Sequence, residues 1–273
     1  MGWSQASEYN MTTRSFLRSF VLAALFLALG QPVPSGAADS SQSQYYELRV
    51  YTTKSEQQQK LVNEYWQDSA VPAYNRMGIQ PIGVFTELEH SATNKVYVLI
   101  PFDSAGAFAS VPGKFAADSA YQKAAQEFMS TPKSDPPYVR FDSSLLIAMQ
   151  GMKRLALPPS SAEKKEWIFE LRTYLSPNES KGNNKVEMFN AGEIQVMQEV
   201  GLAPVFFAQS LIGSQLPNLI YMVSGENMDE HKKHWKGFGP SPVWKKLSTD
   251  PQYKDNTSKN TSRFLVPRPY SAI

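Results

Sequence analysis

The sequence predicts an α+β chain built from two consecutive copies of one β-α-β-β-α-β unit. Three observations predict it. The stretch YELRVYT, Tyr46–Thr52, returns as FELRTYL, Phe169–Leu175. The pair Gly78/Pro81 returns as Gly201/Pro204 at the same offset of 123 residues. Strand-like and helix-like apolar periods then follow each copy in the same order. With 273 residues, 42% of them hydrophobic, the chain can bury a core in each unit.

Each unit opens with an alternating strand, Tyr45–Thr52 or Trp167–Leu175. A helix follows. In the first copy it runs over Glu56–Met77, with Pro72 expected to kink it. In the second it runs over Lys181–Glu199, where Val186, Phe189, Ile194 and Met197 share about one face. Gly78 and Gly201 stand where a helix C-terminal glycine belongs. Strands over Ile82–Leu88 and Lys95–Phe102, or Val205–Leu211 and Asn218–Gly225, are joined by the turn-rich TELEHSATN and SLIGSQLPN. One inserted residue would align Tyr97 with Tyr221. A second helical region spans Ser104–Phe128 or Asn227–Leu247, and a last strand Val139–Met149 or Thr261–Val266. This order is the ferredoxin-like plan. The Pro- and Ser-containing GMKRLALPPSSAEKK, Gly151–Lys165, reads as a linker. The expected organisation is a first unit over 39–150, a linker over 151–165 and a second unit over 166–273.

Residues 1–38 read differently. Arg14 and Arg18 precede the apolar FVLAALFLAL, Phe20–Leu29, and Gly36-Ala37-Ala38 supplies small residues before Asp39. A basic region, an apolar core of about ten residues and a small-residue junction are the parts of a secretory signal peptide. The run is shorter than the ~20 residues of a membrane span. The expectation is an exported chain, periplasmic or secreted, with no stable membrane anchor after cleavage; Met11 is an alternative start. Cysteine is absent, which excludes disulfides, thiolate metal sites and a lipid-bearing thiol. A net charge of +2 and the lack of a basic run among aromatics argue against nucleic acid as a partner.

The repeated stretches resemble the NIPSNAP family. YELRVYT and FELRTYL carry the likeness, with MGIQPIG and VGLAPVF, IYMVSGEN, the Trp235 helix and the ending SRFLVPRPYSAI. The resemblance implies a dimeric α/β-barrel fold, two sheets packed face to face with helices outside. Here one chain would supply both sheets as a pseudo-dimer. Such a family implies a fold more than a chemistry.

Along the repeated strand, Tyr46, Leu48 and Val50 share one face, as do Phe169, Leu171 and Thr173. Glu47, Arg49 and Tyr51, and Glu170, Arg172 and Tyr174, share the other. The first set is apolar enough to lie under helices, so the second is expected to face the opposite sheet. There it forms either structural Glu–Arg pairs or a polar patch lining a pocket, with the arginines holding an anion and a glutamate acting as base. These six residues are the ligand-binding candidates. No catalytic residue is marked, and no metal or cofactor is expected.

In HKKHW, His231 and His234 at i, i+3 would offer two metal ligands, but the intervening Lys232 and Lys233 favour a solvated helix face. His90 sits in a polar turn and is expected to be exposed. Trp235 and Trp244 read as core anchors. Neither a G-x-S-x-G elbow nor P-loop spacing is present. Two functions stand. One is a binding protein, monomeric or homo-oligomeric, that takes a small molecule or protein partner through the barrel. The other is a cofactor-poor enzyme of the barrel monooxygenase kind, enclosing an organic substrate.

Overall fold

The computed structural model describes residues 41–88, 94–163 and 167–273; the expected signal peptide, His90 and part of the linker lie outside them. The first half runs β1 (Tyr45–Thr53), α1 (Glu56–Tyr65), α2 (Val71–Arg76), β2 (Gly83–Glu87), β3 (Asn94–Phe102), α3 (Ala105–Ala117), α4 (Ser119–Ala124), α5 (Gln126–Met129) and β4 (Arg140–Ala148). A short α6 (Pro159–Glu163) leads to β5 (Ile168–Leu175), α7 (Glu179–Met188), α8 (Ile194–Glu199), β6 (Ala203–Ile212), β7 (Asn218–Gly225), α9 (Met228–Phe238), α10 (Pro242–Thr249) and β8 (Lys259–Pro267).

The duplication reaches the local signals that start and stop the helices. Ser55 caps α1 as Asn178 caps α7, and Ser104 caps α3 as Asn227 caps α9, each side-chain oxygen accepting a backbone N–H of the first turn. Gly78 and Gly201 adopt φ of 73° and 87° just past α2 and α8, a conformation in which a side chain would be strained. A π-helical turn, Trp66–Ala70, joins α1 to α2, and Phe189–Glu193 joins α7 to α8. Pro72 falls in the first turn of α2, just after this wider turn.

The strands form one closed antiparallel barrel in the order β1-β3-β2-β8-β5-β7-β6-β4. The first half contributes the run β4-β1-β3-β2 and the second β8-β5-β7-β6. Within the halves pairing is long, from Tyr45↔Phe102 to Thr53↔Asn94 between β1 and β3. Among the described residues the seams are short. β2 pairs with β8 over Phe85↔Pro267, Thr86↔Val266 and Glu87↔Leu265, with one further backbone bond at each end, Leu88 N–H to Phe264 and Arg268 N–H to Val84. β4 pairs with β6 over Leu145–Ala148.

The register holds the 123-residue offset across β1, β3 and β2 and their counterparts β5, β7 and β6. Arg49 lies opposite Val98 and Arg172 opposite Tyr221, so Tyr97 is not the counterpart of Tyr221. The alignment with an inserted residue is therefore corrected, and the one-residue step puts the two tyrosines on opposite faces. Tyr97 points into the barrel and its hydroxyl donates to Glu87 Oε1 at 2.8 Å. Tyr221 packs outside with Phe189 and Phe207.

Three apolar layers result. Tyr46, Leu48, Phe85 and Leu99 fill the barrel interior together with Phe169, Leu171, Phe206 and Leu265 of the other half. Ring pairs cross between halves, Tyr46 with Phe206 at 5.2 Å and Phe85 with Phe169 at 5.0 Å. Outside, Val62, Trp66 and Tyr74 pack on one half, and Phe189, Ile194 and Met197 on the other. The expected faces are thus exchanged. The apolar set of each repeated strand faces the opposite half, and Glu47, Arg49, Glu170 and Arg172 face outward beneath the helices. The reason is partner supply: on the outer face Ser143 and Ser262 of the neighbouring strands bond the buried carboxylates, and in the second half α9 adds donors, which an interior of aliphatic and aromatic groups cannot supply. Among the described residues no helix is long and apolar enough to cross a membrane.

Candidate functional site

The six strand residues fall into two separate clusters, one per half, each between sheet and helices. In the second half Glu170, 3% exposed, is saturated. Its Oε1 accepts from Ser262 Oγ at 2.6 Å and Arg172 Nη1 at 2.9 Å. Its Oε2 accepts from Trp235 Nε1 at 2.7 Å and lies 2.8 Å from His231 Nε2. Burial raises the carboxyl's pKa, but the bonds from His231 and Ser262 and the charge of Arg172 outweigh it and hold the pKa at about 2. The Arg172 guanidinium lies 4.7 Å from the Trp235 ring, and its Nη2 donates to Tyr174 Oη at 3.1 Å. Tyr174 in turn accepts from Tyr221 at 3.3 Å. Beside this network Lys185 and Glu193 form a buried pair at 2.8 Å. Burial pushes the Glu193 carboxyl up against the pull of Lys185.

Sequence reasoning missed His231. It is 1% exposed, not part of a solvated face. His231, Trp235 and Phe238 recur at i, i+4 and i+7 on α9, the period of a buried stripe, and that was the available signal. Trp235 packs against Phe238 as an anchor and also serves as a donor. Gly225 makes room for the imidazole: a Cβ there would stand 2.9 Å from His231 Nδ1.

The first half keeps the pair without the saturation. Glu47 Oε1 accepts from Arg49 Nε at 2.5 Å and from Ser143 Oγ at 2.6 Å. Glu47 is 2% exposed, yet its Oε2 has no partner among the described residues. At the positions of His231 and Trp235 in the repeat stand Phe108 and Pro112, which carry no donor. The Arg49 guanidinium instead lies near the Trp66 and Phe141 rings, at 5.8 and 5.5 Å. Tyr51 packs edge-on against Trp66 at 6.3 Å.

Neither cluster opens into the barrel, whose axis is filled. Among the described residues a cleft of about 900 Å³ opens at one end of the barrel, lined by parts of β5 and β8, the start of α9 and the segment after β8. Trp167, Phe169, Met228, Val266 and Ile273 give it apolar walls. Two of the donors that line it, Arg268 Nε and Ser161 Oγ, are buried and without a partner among the described residues. Glu226 is its one acidic side chain, and is exposed. Sequence reading passed over Arg268 because it lies in a Pro-flanked tail that has no counterpart strand. Among the described residues no group of three or more His, Cys, Asp or Glu is placed to hold a metal.

A closed antiparallel barrel wrapped by helices, with both sheets from one chain, defines a duplicated α/β-barrel protein. Similar barrels are known. A candidate monooxygenase of Fusobacterium nucleatum is 8% identical, with a TM-score of 0.53 over 83% of this chain and 93% of that one. A candidate monooxygenase of Lactobacillus acidophilus is 9% identical, with a TM-score of 0.53 over 83% and 94%. A NIPSNAP family protein of unknown function from Agrobacterium tumefaciens is 16% identical over 37% of this chain and 87% of its own, with a TM-score of 0.33. No curated protein matches. The sequence pattern of the NIPSNAP family matches residues 46–133 and 169–272, and the chain belongs to that family.

Proposed function

We propose that this chain is an exported binding protein that holds a small apolar molecule bearing one anionic group in the cleft at the barrel end. The observation that carries the reading is the pair of unpartnered buried donors, Arg268 Nε and Ser161 Oγ, set into a cleft of about 900 Å³ with aromatic and aliphatic walls. That volume is in the range of small-molecule sites. An anion there would satisfy both donors while its apolar part covers Trp167 and Phe169. Each half is read as a ferredoxin-like unit, which the order β4-β1-β3-β2 and its repeat support. Export rests on the signal-peptide reading of residues 1–38.

Binding is favoured over turnover by what lines the cleft. Its described residues include no histidine, tyrosine or lysine side chain to move a proton, and its one acidic side chain is exposed. The monooxygenase-like reading would need a substrate enclosed beside a reactive group. The likeness to the two candidate monooxygenases, at 8% and 9% identity, extends to the fold alone.

The test is titration with decanoate and with decanol, followed by Trp167 fluorescence and checked by native mass spectrometry. Decanoate should bind more tightly, and Arg268→Ala should weaken it roughly 10- to 100-fold, the loss of one charge-assisted hydrogen bond. Equal affinity for acid and alcohol, or no effect of Arg268→Ala, refutes the reading.

A further inference from the structure

The seams that close the barrel are shorter than the strands they join. β1 pairs with β4 from Arg140 onward, but β6 reaches β4 only over Leu145–Ala148. Arg140–Ser143 therefore have β1 on one side and, among the described residues, no strand on the other. All four are exposed. The Ala148 N–H donates to the Gln44 carbonyl, and the register runs unbroken from there to Arg140. Alternate residues thus turn to β1, and Phe141 and Ser143 turn their N–H and C=O outward. Apolar side chains flank this open edge: Phe141 is 40% exposed and Ile212 65%.

An open edge invites another strand, and native proteins block it with charge. The matching edge on β8 is blocked in this way. Ser262 stands beside Glu170 as Ser143 stands beside Glu47, which matches Lys259 to Arg140. Lys259 and Arg263 are both exposed with no acid between them; Arg263 Nε lies 3.9 Å from Glu87 and Lys259 has no ion-pair partner among the described residues, so this edge is not complementary to itself. The β4 edge reads Arg140-Phe141-Asp142 instead. Arg140 donates only to the carbonyl of its neighbour Val139, at 2.8 Å, and Asp142 has no ion-pair partner among the described residues.

We propose that the β4 edge pairs antiparallel with β4 of a second copy of this chain, about a two-fold axis at Phe141. In that register each Arg140 faces the other copy's Asp142, so the edge is complementary to itself. The outward N–H and C=O of the two Phe141 residues meet, and Phe141 and Ile212 of each copy lose their exposure. The dimer is isologous and closes, leaving both barrel-end clefts untouched.

The test is analytical ultracentrifugation of the full chain over a range of concentrations. Arg140→Asp or Asp142→Arg places like charges opposite each other at two symmetry-related points and should weaken the dimer about tenfold or more. The double variant restores complementarity and should restore the dimer. Both residues are exposed, so folding is not at stake. Phe141→Cys, in a chain with no other cysteine, should oxidise to a covalent dimer, since strand partners across such an axis sit at disulfide range. A monomer at every concentration reached overturns the proposal, as does a dimer indifferent to both single reversals. Slow hydrogen exchange at the Phe141 and Ser143 amides in a monomer also overturns it, because another segment then covers the edge.

Discussion

Two substitutions of the same chemistry should differ sharply in cost. Glu170→Gln and Glu47→Gln each replace a buried carboxylate by an amide of nearly the same shape. At position 170 four donors converge, from Ser262, Arg172, Trp235 and His231. The amide keeps one acceptor oxygen and turns an NH₂ toward two of those donors. It also removes the charge that balances Arg172, whose side chain is only 20% exposed. Breaking such a pair costs about 3–5 kcal/mol. At position 47 the donors, Arg49 and Ser143, both serve Oε1, and Oε2 has none. An amide oriented with its NH₂ at Oε2 leaves every hydrogen bond in place. It loses the charge that balances Arg49, 20% exposed like Arg172, so its cost is smaller by the two bonds that Trp235 and His231 lose at position 170, about 1–1.5 kcal/mol each. Urea unfolding followed by circular dichroism reads the difference as a midpoint shift, provided the slope is unchanged. The expected order is Glu170→Gln far below Glu47→Gln, by about 2 kcal/mol or more. Equal shifts would show that donor saturation, the feature separating the halves, has no energetic weight.

Three further outcomes follow from the same geometry. The Glu170 carboxyl sits at about 2 in the folded protein against an ordinary 4.5. Its stabilisation is therefore complete above pH ~4.5 and is lost as pH falls toward ~2, about 3 kcal/mol in all; acid titration of Glu170→Gln should lack that component. Lys185→Met leaves Glu193 buried beside no cation and should cost about 3–5 kcal/mol, whereas Lys185→Met combined with Glu193→Leu should be near neutral by thermal melting. Gly225→Ala places a Cβ 2.9 Å from His231 Nδ1 and should cost about 1–3 kcal/mol. In a His231→Ala background most of that cost should vanish, as a double-mutant cycle would show.

The order of elements was legible because it is carried by local signals repeated at one offset: the alternating stretches YELRVYT and FELRTYL, and the glycines Gly78 and Gly201. Which face of β1 and β5 turns inward was not. Alternation separates Tyr46 and Leu48 from Glu47 and Arg49, but both faces of these strands are covered, one by the other half and one by helices. Period-2 patterning then has no solvent side against which to orient itself. The partners met on the outer face lie far downstream of each strand: Ser143 for Glu47, and His231, Trp235 and Ser262 for Glu170. The slip at Tyr97 has a related origin. Aligning like residues took precedence over strand parity, and parity is what the sheet keeps. Arg268 and Ser161 were illegible for another reason: each meets the cleft only once the barrel has closed.

The short seams bear on how this chain is made. Phe85 waits for Pro267, some 180 residues later, before β2 gains its second neighbour. At about 5–20 residues per second, the first half stands complete for several seconds with Tyr46, Leu48, Phe85 and Leu99 uncovered. During that time its best complement is the same face of another nascent first half. Two growing chains could clasp each other as the two halves of one chain later do. Tandem fusion counters this by holding the proper complement at high effective concentration once it emerges. Yield on expression should therefore depend more on the rate of synthesis and on crowding of growing chains than on the stability of the finished barrel.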